Sequence, residues 1–238
     1  MAQVVLPKPR RRTRPASAKE SSAKPPRLTK PARPTNFGEL LKQLGDVPPS
    51  RVRLDPPPGQ ATKRDLLRLA ERDKILCELI NGTLVEKAVG QKEAELGSLL
   101  IFWLLSFTRP RDLGRVFGAD APHELAPGLV RMPDVAFVSN ERYPKDESRH
   151  KPIAPWAPNL AVEILSKSNT KREIENKRRE YFDAGVELVW IVDHRKKTVW
   201  VYTDADQFVA LSEDDMLDGG TVLPGFELSI REWFAAVE

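Results

Sequence analysis

An apolar run that contains one acidic residue constrains this chain more than any other feature. In "NLAVEILSKSN", residues 159–169, Glu163 stands among five aliphatic residues. A short continuous apolar run is typical of a strand that is buried on both faces. A carboxylate there carries a desolvation cost unless something pairs with it or binds it. The run therefore predicts a buried acid that faces either a metal ion or a basic side chain, Lys177 or Arg178.

A second acid stands at the start of another apolar run. In "RMPDVAFVSN", Asp134 follows Pro133, and proline is tolerated at the beginning of a strand. Two carboxylates on neighbouring strands can converge on one divalent ion, and Mg²⁺ prefers oxygen ligands. The alternative for Asp134 is a strand-start residue that accepts backbone hydrogen bonds.

The composition limits which metals and compartments fit. The single cysteine excludes a disulfide framework and a cysteine-rich zinc site, and the three scattered histidines argue against a histidine metal cage. A metal here would be a hard ion held by oxygen, Mg²⁺ or Mn²⁺. The longest apolar run, residues 99–107, is shorter than the roughly 20 residues that span a bilayer. We expect a cytoplasmic protein without a membrane partner.

The N-terminal part differs from the rest. Residues 1–35 hold ten Lys and Arg and one acid, whereas the remaining chain has 28 Lys and Arg and 33 acids. We predict a disordered basic, proline-rich arm over residues 1–61, with a short helix in "NFGELLKQLG". The arm either attaches electrostatically to nucleic acid or is a solubilising tail.

From Thr62 onward the pattern predicts one α/β (α+β) domain, residues 62–238. Thr62 and Asp65 begin a helix, Asn81-Gly82 joins two strands, and "QKEAELGSLLIFWLLSFT" forms a deeply packed helix. Strands follow in "GRVFG", "LVRMPDVAFVS" and "NLAVEILS", then a helix capped by Asn169 or Thr170. A hairpin in "ELVWIVDHRKKTVWVYT", a strand and a closing helix complete a mixed sheet flanked by helices, with added hairpins.

Three blocks together resemble a known family. "PDVAFVS", "PNLAVEILSKSNT" and "KRREYFDAGVELVWIVD" resemble the Uma2 group of endonucleases in the PD-(D/E)XK nuclease superfamily, from about residue 73 to 238. The resemblance implies a restriction-endonuclease-like core in which Asp134 and Glu163 hold Mg²⁺ beside the scissile phosphate. The superfamily places a lysine two residues after the second acid, but Leu165 stands there.

A substitute lysine is therefore expected elsewhere. Helical periodicity places Lys177 beside the buried stripe of its helix, from which it could reach the strand ends. The resemblance also implies relocation of the lysine to this helix. The alternative is a lysine whose stem covers apolar surface. Lys167, in the loop after the strand, ranks second.

Two further acids are supporting candidates as metal ligands. Glu78 precedes the Asn81-Gly82 turn, and a structural hydrogen-bonding role competes with ligation there. Glu93 opens the long helix, where ordinary first-turn charge is the alternative.

The resulting hypothesis is a Mg²⁺-dependent endonuclease that hydrolyses phosphodiester bonds in DNA, with Asp134, Glu163 and Lys177 as catalytic residues. A homodimer would suit the cutting of two strands. One alternative is a catalytically lapsed nucleic-acid-binding or interaction module on a nuclease fold, which Leu165 favours. Another is a metal-dependent hydrolase of smaller phosphoesters.

Overall fold

A computed structural model describes residues 32–88 and 90–237. Its α-helices are α1 Phe37–Gln43, α2 Lys63–Arg68, α3 Gln91–Thr108, α4 Lys171–Asp183 and α5 Ile230–Ala235. Its strands are β1 Cys77–Ile80, β2 Thr83–Glu86, β3 Gly114–Phe117, β4 His123–Ala126, β5 Leu129–Arg131, β6 Val135–Ser139, β7 Leu160–Ile164, β8 Leu188–Asp193, β9 Thr198–Tyr202, β10 Phe208–Ser212, β11 Met216–Gly219 and β12 Leu223–Ser229.

The strands form three sheets. The largest has the order β10-β9-β8-β7-β6-β3, in which β7 and β8 are parallel and the other neighbours are antiparallel. A second, antiparallel sheet has the order β2-β1-β5-β4, and β11 pairs with β12. The α+β class with a mixed central sheet is therefore confirmed.

Local sequence signals explain where several elements begin and end. Thr62 and Thr170 both form capping boxes with the acid three residues later, which satisfies orphan backbone donors of α2 and α4. Asn81 and Gly82 adopt positive φ angles of 49° and 78°, as the tight turn between β1 and β2 requires.

Helix α3 is packed on one face only, which corrects the expectation of a deeply packed helix. Leu96, Leu100 and Leu104 recur every four residues and are fully buried against β6, β7 and α5. Phe102, on the opposite side, is 63% exposed. Across the residues that the structure covers, no helix has the length and apolarity needed to cross a membrane.

The segment before α2 is folded where the structure describes it. The sequence predicts disorder for residues 1–61. Residues 1–31 lie outside the described residues. Residues 36–61, in contrast, include α1 and pack against the second sheet. Leu40, Leu44, Val47 and Val52 are buried with side chains of β1, β2 and β5. The sequence does not indicate this core, because prolines interrupt its apolar pattern.

A buried histidine adds a pH-dependent contribution to the stability of this fold. His123, at the start of β4, is 1% exposed, and its Nδ1 lies 3.2 Å from the carbonyl oxygen of Trp156. Burial lowers the pKa of His123 to about 4, although the Trp156 carbonyl acts in the opposite direction. The ring is therefore neutral in the native state at neutral pH.

We expect the free energy of unfolding to fall between about pH 6.5 and pH 4, because the unfolded chain takes up a proton that native His123 refuses. The loss over this window is about 3 kcal/mol. His123→Asn, whose amide can replace Nδ1, should remove this part of the slope in urea unfolding followed against pH. His150→Asn, at an exposed position, is the control. Equal slopes for the wild type and His123→Asn would contradict the prediction.

Candidate active site

Asp134 lies at the start of β6, opposite Glu163 on β7. The antiparallel register pairs Val135 with Val162, and one step further it places the two acids across from each other. The Asp134 amide donates to the Val162 carbonyl at 2.8 Å, and Asp134 Oδ2 accepts from the Ile164 amide at 2.7 Å. The backbone of β7 thus fixes the Asp134 carboxylate at the strand ends.

Glu163 faces helix α4. Alternation along β7 turns Val162 and Ile164 toward α3 and leaves Glu163 on the opposite face of the sheet. Lys177 Nζ lies 3.0 Å from Glu163 Oε2, and the Tyr181 hydroxyl donates to Glu163 Oε1 at 2.5 Å. Lys177 and Tyr181 are four residues apart, so they occupy one buried face of α4. The basic partner expected for Glu163 is therefore Lys177.

Glu78 also lies in this cluster. Its Oε1 accepts from the Met132 amide at 3.1 Å and lies 3.1 Å from Lys177 Nζ. Its Oε2 is 2.8 Å from Arg131, which also contacts Glu180 at 2.6 Å. Glu78 and Arg131 are each 1% exposed. These contacts give Glu78 a hydrogen-bonding role, and its part in metal ligation stays a prediction.

Lys87 is the second buried lysine of the site. It follows β2, and its Nζ lies 2.9 Å from Asp134 Oδ1 and 2.5 Å from the Met132 carbonyl oxygen. Lys87 and Asp134 line a cavity of about 180 Å³ whose other walls come mainly from the start of α3 and include Glu93. The Glu93 carboxylate also lies over Gly90, at the N-terminus of α3, as ordinary first-turn charge would.

Charge and burial set the protonation of the cluster. Burial alone would lower the pKa of Lys177, but Glu163 and Glu78 outweigh burial and raise it. Burial would raise the pKa of Glu78, but Lys177 and Arg131 outweigh it and hold this pKa far below its usual range. Burial raises the pKa of Glu163, and the charge of Asp134 adds to this while Lys177 opposes it. Lys177 is therefore a permanent cation.

The donor set fits a hard divalent ion in a water-rich coordination shell. Among the described residues, no group of three or more His, Cys, Asp or Glu is arranged to hold a metal. Mg²⁺ usually takes one or two carboxylates and keeps several waters. Asp134 and Glu163 supply two carboxylates, and the cavity beside Asp134 leaves room for water.

Sequence reasoning missed several members of this cluster. Lys87 directly follows β2, and Arg131 is the last residue of β5. At such positions a charged residue usually meets solvent. Arg131 is separated from Glu78 by 53 residues, and no local spacing joins them. Lys167 lies exposed in the loop after β7, and Leu165 is partly buried against α4. Of the two lysines considered as substitutes, the structure brings Lys177 to Glu163, and its catalytic role stays a prediction.

Comparisons with known proteins identify a family and a shared fold. The sequence profile of the Uma2 family, described as a putative restriction endonuclease, matches residues 64–231. A solved structure of a putative nuclease belonging to DUF820 from Anabaena variabilis has a TM-score of 0.63 at 21% sequence identity, covering 69% of this chain and 93% of that chain. No curated protein matches the chain. Because the profile spans more than half of the sequence, the chain belongs to the Uma2 family.

Proposed function

We propose that this protein is a metal-dependent endonuclease that hydrolyses phosphodiester bonds in DNA. The observation that carries the proposal is the pairing of Asp134 and Glu163 at adjacent strand ends, with Lys177 Nζ 3.0 Å from Glu163. Membership of the Uma2 family supports the reaction class. A DNA substrate, a homodimer and a cytoplasmic location stay predictions.

In this proposal Asp134 and Glu163 hold Mg²⁺ or Mn²⁺, and Lys177 assists. When bound, the ion polarises the phosphate and lowers the pKa of a water. Lys177 supplies fixed positive charge from α4, in place of the lysine that Leu165 replaces. Tyr181 keeps Glu163 oriented through its 2.5 Å hydrogen bond, and the Ile164 amide does the same for Asp134 at 2.7 Å.

The metal site is tested by thermal unfolding. Mg²⁺ or Mn²⁺ should raise the melting temperature of the wild type, because a ligand that binds only the native state stabilises it. At a concentration 100 times Kd the gain is about 2.7 kcal/mol. Asp134→Asn and Glu163→Gln should abolish the rise. Asp120→Asn, in the loop after β3, is the control and should respond like the wild type. An unchanged response in both site variants would place the metal elsewhere.

A second candidate function is a nucleic-acid-binding or interaction module whose catalysis has lapsed. The observation that favours it is that each oxygen of Asp134 and Glu163 already has a donor from the protein. Such a network is satisfied without a metal. The discriminating experiment offers supercoiled and linear DNA, with RNA in parallel, to the full chain with Mg²⁺ or Mn²⁺. Binding without cleavage by a protein that shows no metal-induced stabilisation would favour the module.

A further inference from the structure

The four donors that hold Asp134 and Glu163 are not equivalent. The Ile164 amide is part of the β7 backbone, and Lys177 and Tyr181 are enclosed under α4 with 3% and 0% exposure. Lys87 contacts Asp134 from the wall of the 180 Å³ cavity. The Lys87 side chain is only 4% exposed, but of these four donors it is the one whose side chain lines this cavity.

The charges of the cluster indicate how a divalent ion would affect the Lys87 ammonium. Four carboxylates, Glu78, Asp134, Glu163 and Glu180, meet three cations, Lys87, Arg131 and Lys177. Their formal sum is −1 when all are ionised. A divalent ion added to this set would leave an excess of +1, whereas the same ion with Lys87 withdrawn leaves the set neutral. Because uncompensated charge is costly among buried side chains, binding of the ion would favour departure of Lys87.

The cavity also has space and an acceptor for the displaced Lys87 ammonium. The cavity is walled by the small residues Gly90, Ala94 and Gly97, so the long lysine stem can turn within it. Glu93, one helical turn before Gly97 on α3, lines the same space and has a carboxylate that can accept a hydrogen bond from the ammonium. A lysine is suited to such a movement because its four-carbon stem is flexible.

We propose that Lys87 is a built-in placeholder for the divalent ion. In the metal-free protein its ammonium neutralises Asp134, and on metal binding it withdraws into the cavity toward Glu93. This inference rests on the proposed function, since it concerns the same two carboxylates. It gives the site a specific energetic property: the ion must compete with an internal cation, so metal affinity is weaker than the carboxylates alone would give.

The test is a calorimetric titration of the full chain with Mn²⁺. Lys87→Met removes the charge and keeps the stem, and Lys87→Gln keeps a hydrogen-bond donor without charge. Both should bind Mn²⁺ at least about tenfold more tightly than the wild type, because a competing positive charge is gone. Lys63→Met is the matched control: Lys63 pairs with Glu124 at 2.7 Å outside the cluster, and its loss should leave the Kd unchanged.

Thermal unfolding separates this role from a structural one. Without metal, Lys87→Met should melt below the wild type, because Asp134 Oδ1 and the Met132 carbonyl oxygen lose the donor that Lys87 supplies. With Mn²⁺ in excess, its melting temperature should rise by more than that of the wild type. A purely structural lysine would instead give a loss of stability that metal does not restore, together with an unchanged or weaker affinity, and that result overturns the proposal.

The outcomes also separate this inference from the proposed function. If the wild type binds Mn²⁺ and Asp134→Asn does not, while Lys87→Met and Lys87→Gln bind like the wild type, the placeholder is wrong and the metal site stands. If the Lys87 variants bind Mn²⁺ more tightly than the wild type, both the placeholder and the metal site are supported. If none of these proteins binds the ion, both fall.

Discussion

Lys177→Met is expected to lower the rate of DNA cleavage at saturating Mg²⁺ by about 10²-fold or more. The variant removes a positive charge whose Nζ lies 3.0 Å from Glu163, at the strand ends where the proposed reaction takes place. Fixed charge in a water-poor site stabilises a developing anion far better than it would in water. Metal binding should be retained, because Lys177 supplies no ligand. The measurement is the single-turnover cleavage rate.

The protonation of Lys177 decides which role it can have. Glu163 and Glu78 raise its pKa against the effect of burial, so the side chain stays charged throughout the physiological range. A permanently charged lysine cannot take a proton from water. It can stabilise negative charge and position groups around it, and the cleavage rate should therefore show no titration that belongs to Lys177.

The same substitution should also destabilise the protein. Lys177 is 3% exposed and lies within 3.1 Å of both Glu78 and Glu163, so methionine leaves two buried carboxylates without this cation. The free energy of unfolding should fall by about 3–5 kcal/mol. Cleavage must therefore be compared per folded molecule, at a temperature below the melting transition of the variant.

Two further variants complete the comparison. Lys177→Arg keeps the charge and should recover part of the rate. Lys167→Met, at an exposed loop position after β7, should change neither rate nor stability appreciably. If folded Lys177→Met cuts at the wild-type rate, the idea that this lysine replaces the one missing at Leu165 is wrong.

Much of the fold and part of the site could be predicted from local patterns. Apolar runs marked β6, β7 and β8, and caps marked the start of α2 and α4, because burial and capping act over a few residues. The approach of Lys177 to Glu163 could be predicted as well, since helical periodicity fixes which face Lys177 occupies. Its catalytic role stays a prediction.

The remaining contacts depend on how distant segments meet. Lys87 and Arg131 look like ordinary charged residues at strand ends, and only the packing of the second sheet against β6 and α4 buries them. The fold of the N-terminal segment, residues 36–61, could be predicted even less from its sequence. Its composition of prolines and cations predicted disorder, but four apolar residues spread over positions 40–52 are enough to fix it on β1, β2 and β5.

Arg51, in that segment, connects two elements of the site, the end of β2 and helix α4. Arg51 makes a bidentate ion pair with Glu173, at 2.8 and 3.0 Å, and its Nε donates to the Glu86 carbonyl at 2.8 Å. Glu86 directly precedes Lys87, and Glu173 lies one turn before Lys177 on α4. Arg51 therefore ties the end of β2 to the helix that carries Lys177, although it lies outside the residues that match the family profile.

We expect Arg51→Met to lower the free energy of unfolding by about 3–5 kcal/mol, because it breaks a buried pair and leaves the Glu173 carboxylate without its main partner. The side chains of Arg51 and Glu173 are only 10% and 2% exposed. Chemical denaturation of the full chain, followed by circular dichroism, measures the loss.

Arg53→Met is a closely matched control. Arg53 stands two residues further along the same segment and pairs with the Glu86 side chain at 2.9 Å, but the two side chains are 36% and 32% exposed. Because water screens that pair, its loss should cost less than about 1 kcal/mol. A double-mutant cycle with Glu173→Gln then isolates the Arg51–Glu173 coupling. Equal losses of unfolding free energy for Arg51→Met and Arg53→Met would show that burial does not strengthen the Arg51–Glu173 pair. That pair would then contribute no more to stability than a surface ion pair.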